Sequence, residues 1–203
     1  MPFSSVASNA ATSPGPAVSP SPAASLSPAA SLSPATSLSA LAEFDFPTAL
    51  VVSQGGQVLA QGGQVDSDFA FASVTKPLVA WSAAVAYERA LLDLDALVGP
   101  HLPGATVRHL LAHASGVAPN DDSVLAAPGT KRIYSNRGIE LLGQALEQAT
   151  GYQLEQWVEL SVLEPLGLAS ILIPGSPAHS GMGNALDLAA FTRELAAPTL
   201  VSA

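Results

Sequence analysis

Ser73-Val74-Thr75-Lys76, within FASVTKPL (71–78), is the stretch on which the reading of this chain turns. It lies where a β-rich segment gives way to an apolar helical one. On a helix, a serine three residues before a lysine shares a face with it, so hydroxyl and amine come within reach of each other. An amine so placed can take the proton of the alcohol and turn it into a nucleophile. The chain contains two lysines, Lys76 and Lys131, which adds weight to finding one here. The spacing alone is a weak signal, and the rest of the chain has to corroborate it.

Upstream, Thr48–Ser53 (TALVVS) is β-rich, and Gly55-Gly56 supplies a turn before Gln57–Ala60 returns, the pattern of a hairpin. Gln61-Gly62-Gly63-Gln64 echoes Gln54-Gly55-Gly56-Gln57 and reads as a second turn. Neither copy opens into a helix carrying GK[ST], so neither is a phosphate cradle. Downstream, a helix is expected from about Ser73 to about Leu92, with Leu78, Trp81, Val85 and Ala86 on one face. Pro77 is tolerable in its first turn, where amides lack intrahelical partners. A short helix follows from Val107 with Thr106 as N-cap. Another begins near Asn136, carries Ile139, Leu142, Leu146 and Ala149, and is ended by Gly151. Gln153–Leu163, bearing Trp157, is expected as a helix stopped by Pro165. The last helix has Asn184 as cap, Asp187 three residues on, and Leu188, Phe191 and Leu195 facing inward.

Composition narrows the function classes. Of 203 residues, 48% are apolar and 11% charged, which supports a substantial core. A formal charge of −9 and a pI near 4.6 disfavour nucleic acid and anionic membrane surfaces as partners. With no cysteine there is no disulfide, thiolate metal site or cysteine nucleophile. The longest apolar run, Leu78–Tyr87, falls short of the roughly 20 residues that span a bilayer. No lysine or arginine precedes Lys76, and prolines interrupt the apolar stretches before it, a poor export signal; the expectation is a cytoplasmic protein. Residues 1–42 stand apart. Ser21–Leu26, Ser27–Leu32 and Ser33–Leu38 repeat as SPAASL, SPAASL and SPATSL. Proline every sixth residue, with little aliphatic bulk, predicts a disordered tail ahead of a domain spanning 43–203.

Other residues carry weaker signals. Tyr134-Ser135-Asn136 follows a polar, glycine-containing run, where a phenol can sit at a cleft rim and, near a lysine, shuttle protons. Spacing alone favours a half-buried tyrosine and a helix-capping Asn136. His109 and His113, four apart on a helix, have zinc-site spacing, but the accompanying glutamate and a third ligand are missing. Histidines hydrogen-bonding loop backbone are the better reading. Asp93-Leu94-Asp95 reads as a solvated turn, and His179-Ser180-Gly181 as a flexible loop with no inferable role.

Taken together and in order, these motifs resemble the serine β-lactamase and penicillin-binding-protein superfamily, in particular its class C β-lactamase, DD-carboxypeptidase and family VIII esterase branch. FASVTK (71–76) resembles the nucleophile motif, LLDLDALVGPHLPG (91–104) the stretch after its helix, and TVRHLLAHASGV (106–117) a recognisable helix-loop element. YSNRGIELLGQALEQATG (134–151) resembles the second catalytic motif, while VLEPLGL (162–168) and GMGNALDLAAFTREL (181–195) match later scaffold. The resemblance implies an α+β fold of the β-lactamase/transpeptidase-like type. It also implies attack by Ser73 on a carbonyl carbon and an acyl-enzyme that water hydrolyses. Lys76 would receive or relay the serine proton, Tyr134 would assist the leaving group, and Asn136 would orient the substrate. The Ser73 amide would donate to the oxyanion. No cofactor or metal is implied, and the expected partner is a small-molecule ester or amide; oligomeric state is not legible.

The family carries a third motif, KTG or HxG, on a strand beyond the helix matching Asn184–Leu195, and this chain ends at Ala203 without it. The expectation is therefore a fold lacking its carboxyl-terminal sheet strands, with a hairpin at 44–64 that has few partners and an exposed edge. Two alternatives to a hydrolase remain open at this point: a non-catalytic relative that binds acyl ligands, and an interaction module whose sheet edge a partner strand completes.

Overall fold

A computed structural model describes residues 44–202, together with Leu38 and Leu41. The remainder of 1–42, and with it the expectation of a disordered repeat tail, lies outside the described residues. The chain has an α+β architecture in which helices enclose the core and short antiparallel pairings lie at its margin.

Strands β1 (Ala49–Gln54) and β2 (Gln57–Gly63) form the expected hairpin. Gly55 (φ 54°) and Gly56 (φ 82°) both take positive φ, as a two-residue turn matching strand twist requires. Gln61-Gly62-Gly63 departs from expectation: it is the end of β2, paired with Ala49–Val51, and not a second turn. A register shift at Val52/Ser53 bends the hairpin. Strand β3 (Phe69–Ala70) then leads through a 3-10 turn, Ala72–Val74, into helix α1 (Thr75–Glu88). α1 stops four residues before the expected Leu92 because Ala90 turns to φ 55°, and the Leu91 and Leu92 amides both return to the Ala86 carbonyl. Helix α2 (Val107–Leu111) starts after Thr106 as predicted, with His109 Nδ1 accepting the Thr106 amide at 3.1 Å. Asp93 and Asp95 do form a solvated turn: Asp93 accepts the Asp95 amide, and Asp95 is paired in two hydrogen bonds with exposed Arg108.

Helix α3 (Asn136–Thr150) ends at Gly151 as the sequence implies, with Ile139, Leu142 and Leu146 in the core. The segment after it is not one regular helix. Helix α4 (Leu154–Val158) widens into a π turn at Glu159–Leu163 and continues as helix α5 (Glu164–Leu166) past Pro165. In the wider turn the Glu164 amide reaches Glu159, and the Leu168 amide, past left-handed Gly167, returns to Leu163 to close α5. Pro165, which lacks a donor, thus follows a stretch whose bonding register has already changed, and so does not stop the helix. Strand β4 (Met182–Gly183) pairs with β3, and helix α6 (Ala185–Ala196) closes the chain, its Asn184 side chain accepting the Asp187 amide at 2.8 Å.

Two layers of helix meet in the core, where Leu78, Val79 and Ala86 of α1 join Leu142 and Leu146 of α3 with Trp157 and Phe191. The Trp157 indole donates to the Ser82 carbonyl at 3.1 Å, anchoring α4 to α1. The hairpin is better supported than its sequence suggested: α6 packs against β1, and Arg193 donates to the Gly56 carbonyl at 3.3 Å. Among the described residues no helix is long and apolar enough to cross a membrane.

Candidate active site

The site is built at the junction of β3 and α1. Ala72 adopts φ 45°, a left-handed conformation that costs an alanine about 1 kcal/mol or more. Its carbonyl is held by the Thr75 hydroxyl at 2.7 Å, and that hydroxyl also accepts the Gly181 amide at 2.8 Å. Thr75 is fully buried, so the bend that presents Ser73 is braced from inside the protein. Ser73 itself is exposed, and Lys76, one turn on, is buried with only 6% of its surface accessible.

Lys76 Nζ donates to three oxygens from three parts of the chain: Ser73 Oγ at 3.0 Å, Asn136 Oδ1 at 2.8 Å and the Ala178 carbonyl at 2.8 Å. All three are neutral. The amine is therefore fixed against the serine hydroxyl by acceptors that do not tie it to a carboxylate. Asn136 is available for this contact because it does not cap α3. Ser135 does: its buried hydroxyl accepts the Gly138 amide at 2.8 Å and donates to the Ala118 carbonyl at 2.7 Å. The Asn136 amide group is braced in turn by Asn120 Oδ1 at 2.9 Å.

Tyr134 is about half exposed and lies over Lys76, with Nζ 4.7 Å from the ring centroid. The Lys76 ammonium, and next the Ser73 hydroxyl, stabilise the phenolate and hold the phenol below the usual tyrosine value; burial opposes them without cancelling. The four residues singled out from sequence, Ser73, Lys76, Tyr134 and Asn136, are thus neighbours in space.

Three further contributors had little or no sequence signal. The Ala178 carbonyl is a backbone group, invisible to a motif reading. Asn120 sits in a polar run that reads only as a loop. Gly181, part of a tripeptide expected to be a flexible loop without a role, is instead buried, accepting the Phe71 amide at 2.8 Å while donating to Thr75. A Cβ at residue 181 would lie 2.6 Å from Thr75 Oγ1, and Thr75 is locked by its own hydrogen bonds. Gly181→Ala is therefore expected to lower stability by about 1–3 kcal/mol, seen as a lower midpoint in urea unfolding. The histidines do bind loop backbone as expected: His109 caps α2, and His113 Nδ1 accepts the Ser135 amide at 3.3 Å.

Ser73 faces an open surface. A cavity of about 340 Å³ is lined in part by its neighbours Phe71 and Val74, while larger ones, of about 510 and 430 Å³, lie elsewhere and include none of the four residues.

A serine beside a buried lysine, at the entry to a helix packed among others in an α+β fold, is the arrangement these contacts build. The Beta-lactamase family profile matches residues 43–203, and the chain belongs to that family. A beta-lactamase structure from Mycobacterium bovis is similar with a TM-score of 0.78 at 41% identity, over 83% of this chain and 62% of that one. A D-stereospecific amidohydrolase from Streptomyces shares the fold, with a TM-score of 0.69 at 20% identity, over 84% of this chain and 74% of its own. Monacolin J acid methylbutanoyltransferase of Aspergillus terreus is 28% identical over 159 residues, covering 53% of this chain and 38% of its own length. A penicillin-binding protein of Bacillus subtilis is 28% identical over 136 residues, 52% of this chain and 30% of its own length. The chain thus spans between 30% and 38% of these two curated relatives. Its relatives thus include proteins named as a beta-lactamase, a penicillin-binding protein and a methylbutanoyltransferase.

Proposed function

We propose that this domain is a serine hydrolase that cleaves an ester or amide through an acyl-serine intermediate. The observation that carries the reading is the 3.0 Å contact between Lys76 Nζ and Ser73 Oγ, with the same nitrogen held by Asn136 from 60 residues away.

In the acylation step, Ser73 Oγ forms a bond to the carbonyl carbon while its proton passes to Lys76 in its neutral amine form. In that form one of the three N–H groups directed at Ser73, Asn136 and Ala178 has been given up and a lone pair faces Oγ. The tetrahedral oxyanion would be met by the Ser73 amide at the start of the 3-10 turn. Collapse breaks the bond to the leaving alcohol or amine, which takes a proton relayed from Lys76 through the Tyr134 phenol. The lowered phenol value suits this relay, because a group that releases and regains its proton more readily transfers it faster near neutral pH. Asn136 orients the substrate through the second N–H of Nδ2, the first being bonded to Asn120. Water then attacks the acyl-serine, releasing the acid and restoring the Ser73 proton. No metal or cofactor enters this scheme.

Labelling with a fluorophosphonate probe followed by peptide mapping tests the proposal. The expected result is one adduct, on Ser73, lost in Ser73→Ala while the unfolding midpoint is retained. A folded wild-type protein that takes no adduct at Ser73 would overturn the hydrolase reading and leave the arrangement as scaffold.

A further inference from the structure

The hydrolytic scheme leaves one residue of the site unused. His113 grips the Tyr134 segment at three successive positions. Its carbonyl accepts the Ile133 amide at 2.8 Å, its Nδ1 accepts the Ser135 amide at 3.3 Å, and its ring packs on the Tyr134 ring with centroids 4.7 Å apart. It does so from φ 56°, a left-handed conformation that costs a non-glycine residue about 1 kcal/mol or more and persists only where the surroundings impose it.

We propose that His113 is a positioning residue for Tyr134 and that it works only as the neutral imidazole. The inference rests on the reading above, in which the Tyr134 phenol relays the leaving-group proton. To accept from an amide, Nδ1 must keep its lone pair, which puts the imidazole proton on Nε2. Protonation of Nδ1 would turn an N–H toward the Ser135 N–H. That contact is repulsive, and it sits one residue from the tyrosine and one from Asn136. The groups facing the ring reinforce the neutral form. Burial, then the Arg132 charge from the preceding loop, then the Lys76 charge from α1, hold the imidazole below the usual histidine value; the Tyr134 phenol is the other titratable neighbour.

The sign follows from that direction. As pH falls below the ordinary imidazole value of about 6.5, His113 stays neutral for a further interval and then protonates, loosening the Tyr134 segment. Hydrolysis of an alkyl ester, whose alkoxide leaving group needs the relayed proton, should therefore gain one unit of slope in log rate against pH on that acidic side.

The test compares wild type with two variants. Asparagine tolerates a left-handed backbone and keeps an oxygen acceptor near the place of Nδ1, but it does not titrate. His113→Asn is expected to hydrolyse the alkyl ester within about tenfold of wild type at neutral pH and to lose the extra acid-side slope. His113→Leu, with no acceptor, is expected to hydrolyse the alkyl ester about ten- to a hundredfold more slowly across the whole range. An unchanged acid-side slope in His113→Asn would overturn the proposal, as would wild-type rates in His113→Leu.

Should either variant fold poorly, NMR of the wild-type chain carries the same question. The Tyr134 ring and Ser135 amide resonances should shift together with the His113 ring titration, and their indifference to it would overturn the proposal. This measurement also separates the two readings: absent labelling at Ser73 defeats the hydrolase, whereas uncoupled Tyr134 and His113 signals defeat the positioning role.

Discussion

Replacing Lys76 with methionine is expected to lower the rate of Ser73 acylation by about 10²–10⁴-fold, the range associated with loss of a positioned proton acceptor. Methionine matches the length of the lysine stem and keeps its packing along α1, so the loss is chemical before it is structural. Lys76→Arg separates two explanations. It keeps a positive charge beside Ser73 and Asn136, but a guanidinium does not give up its proton in the working range. If Lys76 served only as a charge, the arginine variant would retain much of the rate; if it accepts the serine proton, both variants fail alike. Stability should respond differently. The Ala178 carbonyl, in a fully buried residue, loses its Lys76 donor in the methionine variant, a cost of about 1–3 kcal/mol. Burst kinetics with a p-nitrophenyl ester, alongside urea unfolding of each variant, measures the two effects independently.

That lysine also shows what sequence can and cannot reveal. Its relation to Ser73 follows from helical periodicity alone, and its relation to Tyr134 and Asn136 follows from family likeness. α3 was legible for a similar reason: Ile139, Leu142 and Leu146 repeat at helical spacing, and all three are buried. What escaped was of another kind. The cap of α3 is Ser135, because its hydroxyl meets both the Gly138 amide and a carbonyl 17 residues earlier, and only the second of these settles the choice over Asn136. The third acceptor of Lys76 is main chain, so no residue type marks it. The π turn before Pro165 lies in how neighbouring carbonyls are shared, the Glu164 amide reaching Glu159. Each of these is decided by contacts across the fold, which a local pattern does not encode.

Helix α6 gives the sharpest reversal and the second large effect. Periodicity placed Leu195 inside, yet Leu195 is 40% exposed and its neighbour Glu194 only 4%. The carboxylate is inside because donors wait for it there. Its oxygens accept the Trp81 indole at 3.2 Å, the Leu200 amide at 2.9 Å, the Thr199 amide at 3.0 Å and the Thr199 hydroxyl at 2.7 Å. Burial pushes the carboxyl upward, but the bonds from Thr199, Leu200 and Trp81 outweigh it and hold the group below its ordinary value. Glu194 thus ties the segment after α6 back onto α1.

Glu194→Ala should cost about 3 kcal/mol at neutral pH, since it strands several buried donors at once. Glu194→Gln keeps the shape but replaces one acceptor with a donor facing donors, and it should recover only part of that loss. The pH dependence has a definite sign. A carboxyl held lower in the folded state stabilises fully above its unfolded value of about 4.3, and that contribution fades as pH drops through the folded value. The stability gap between wild type and Glu194→Gln should therefore be flat from neutral pH down to about pH 5 and narrow in more acidic buffer. Urea unfolding across that range checks it; a gap that widened toward acid would mean that the carboxyl is held above its ordinary value, with burial outweighing its donors.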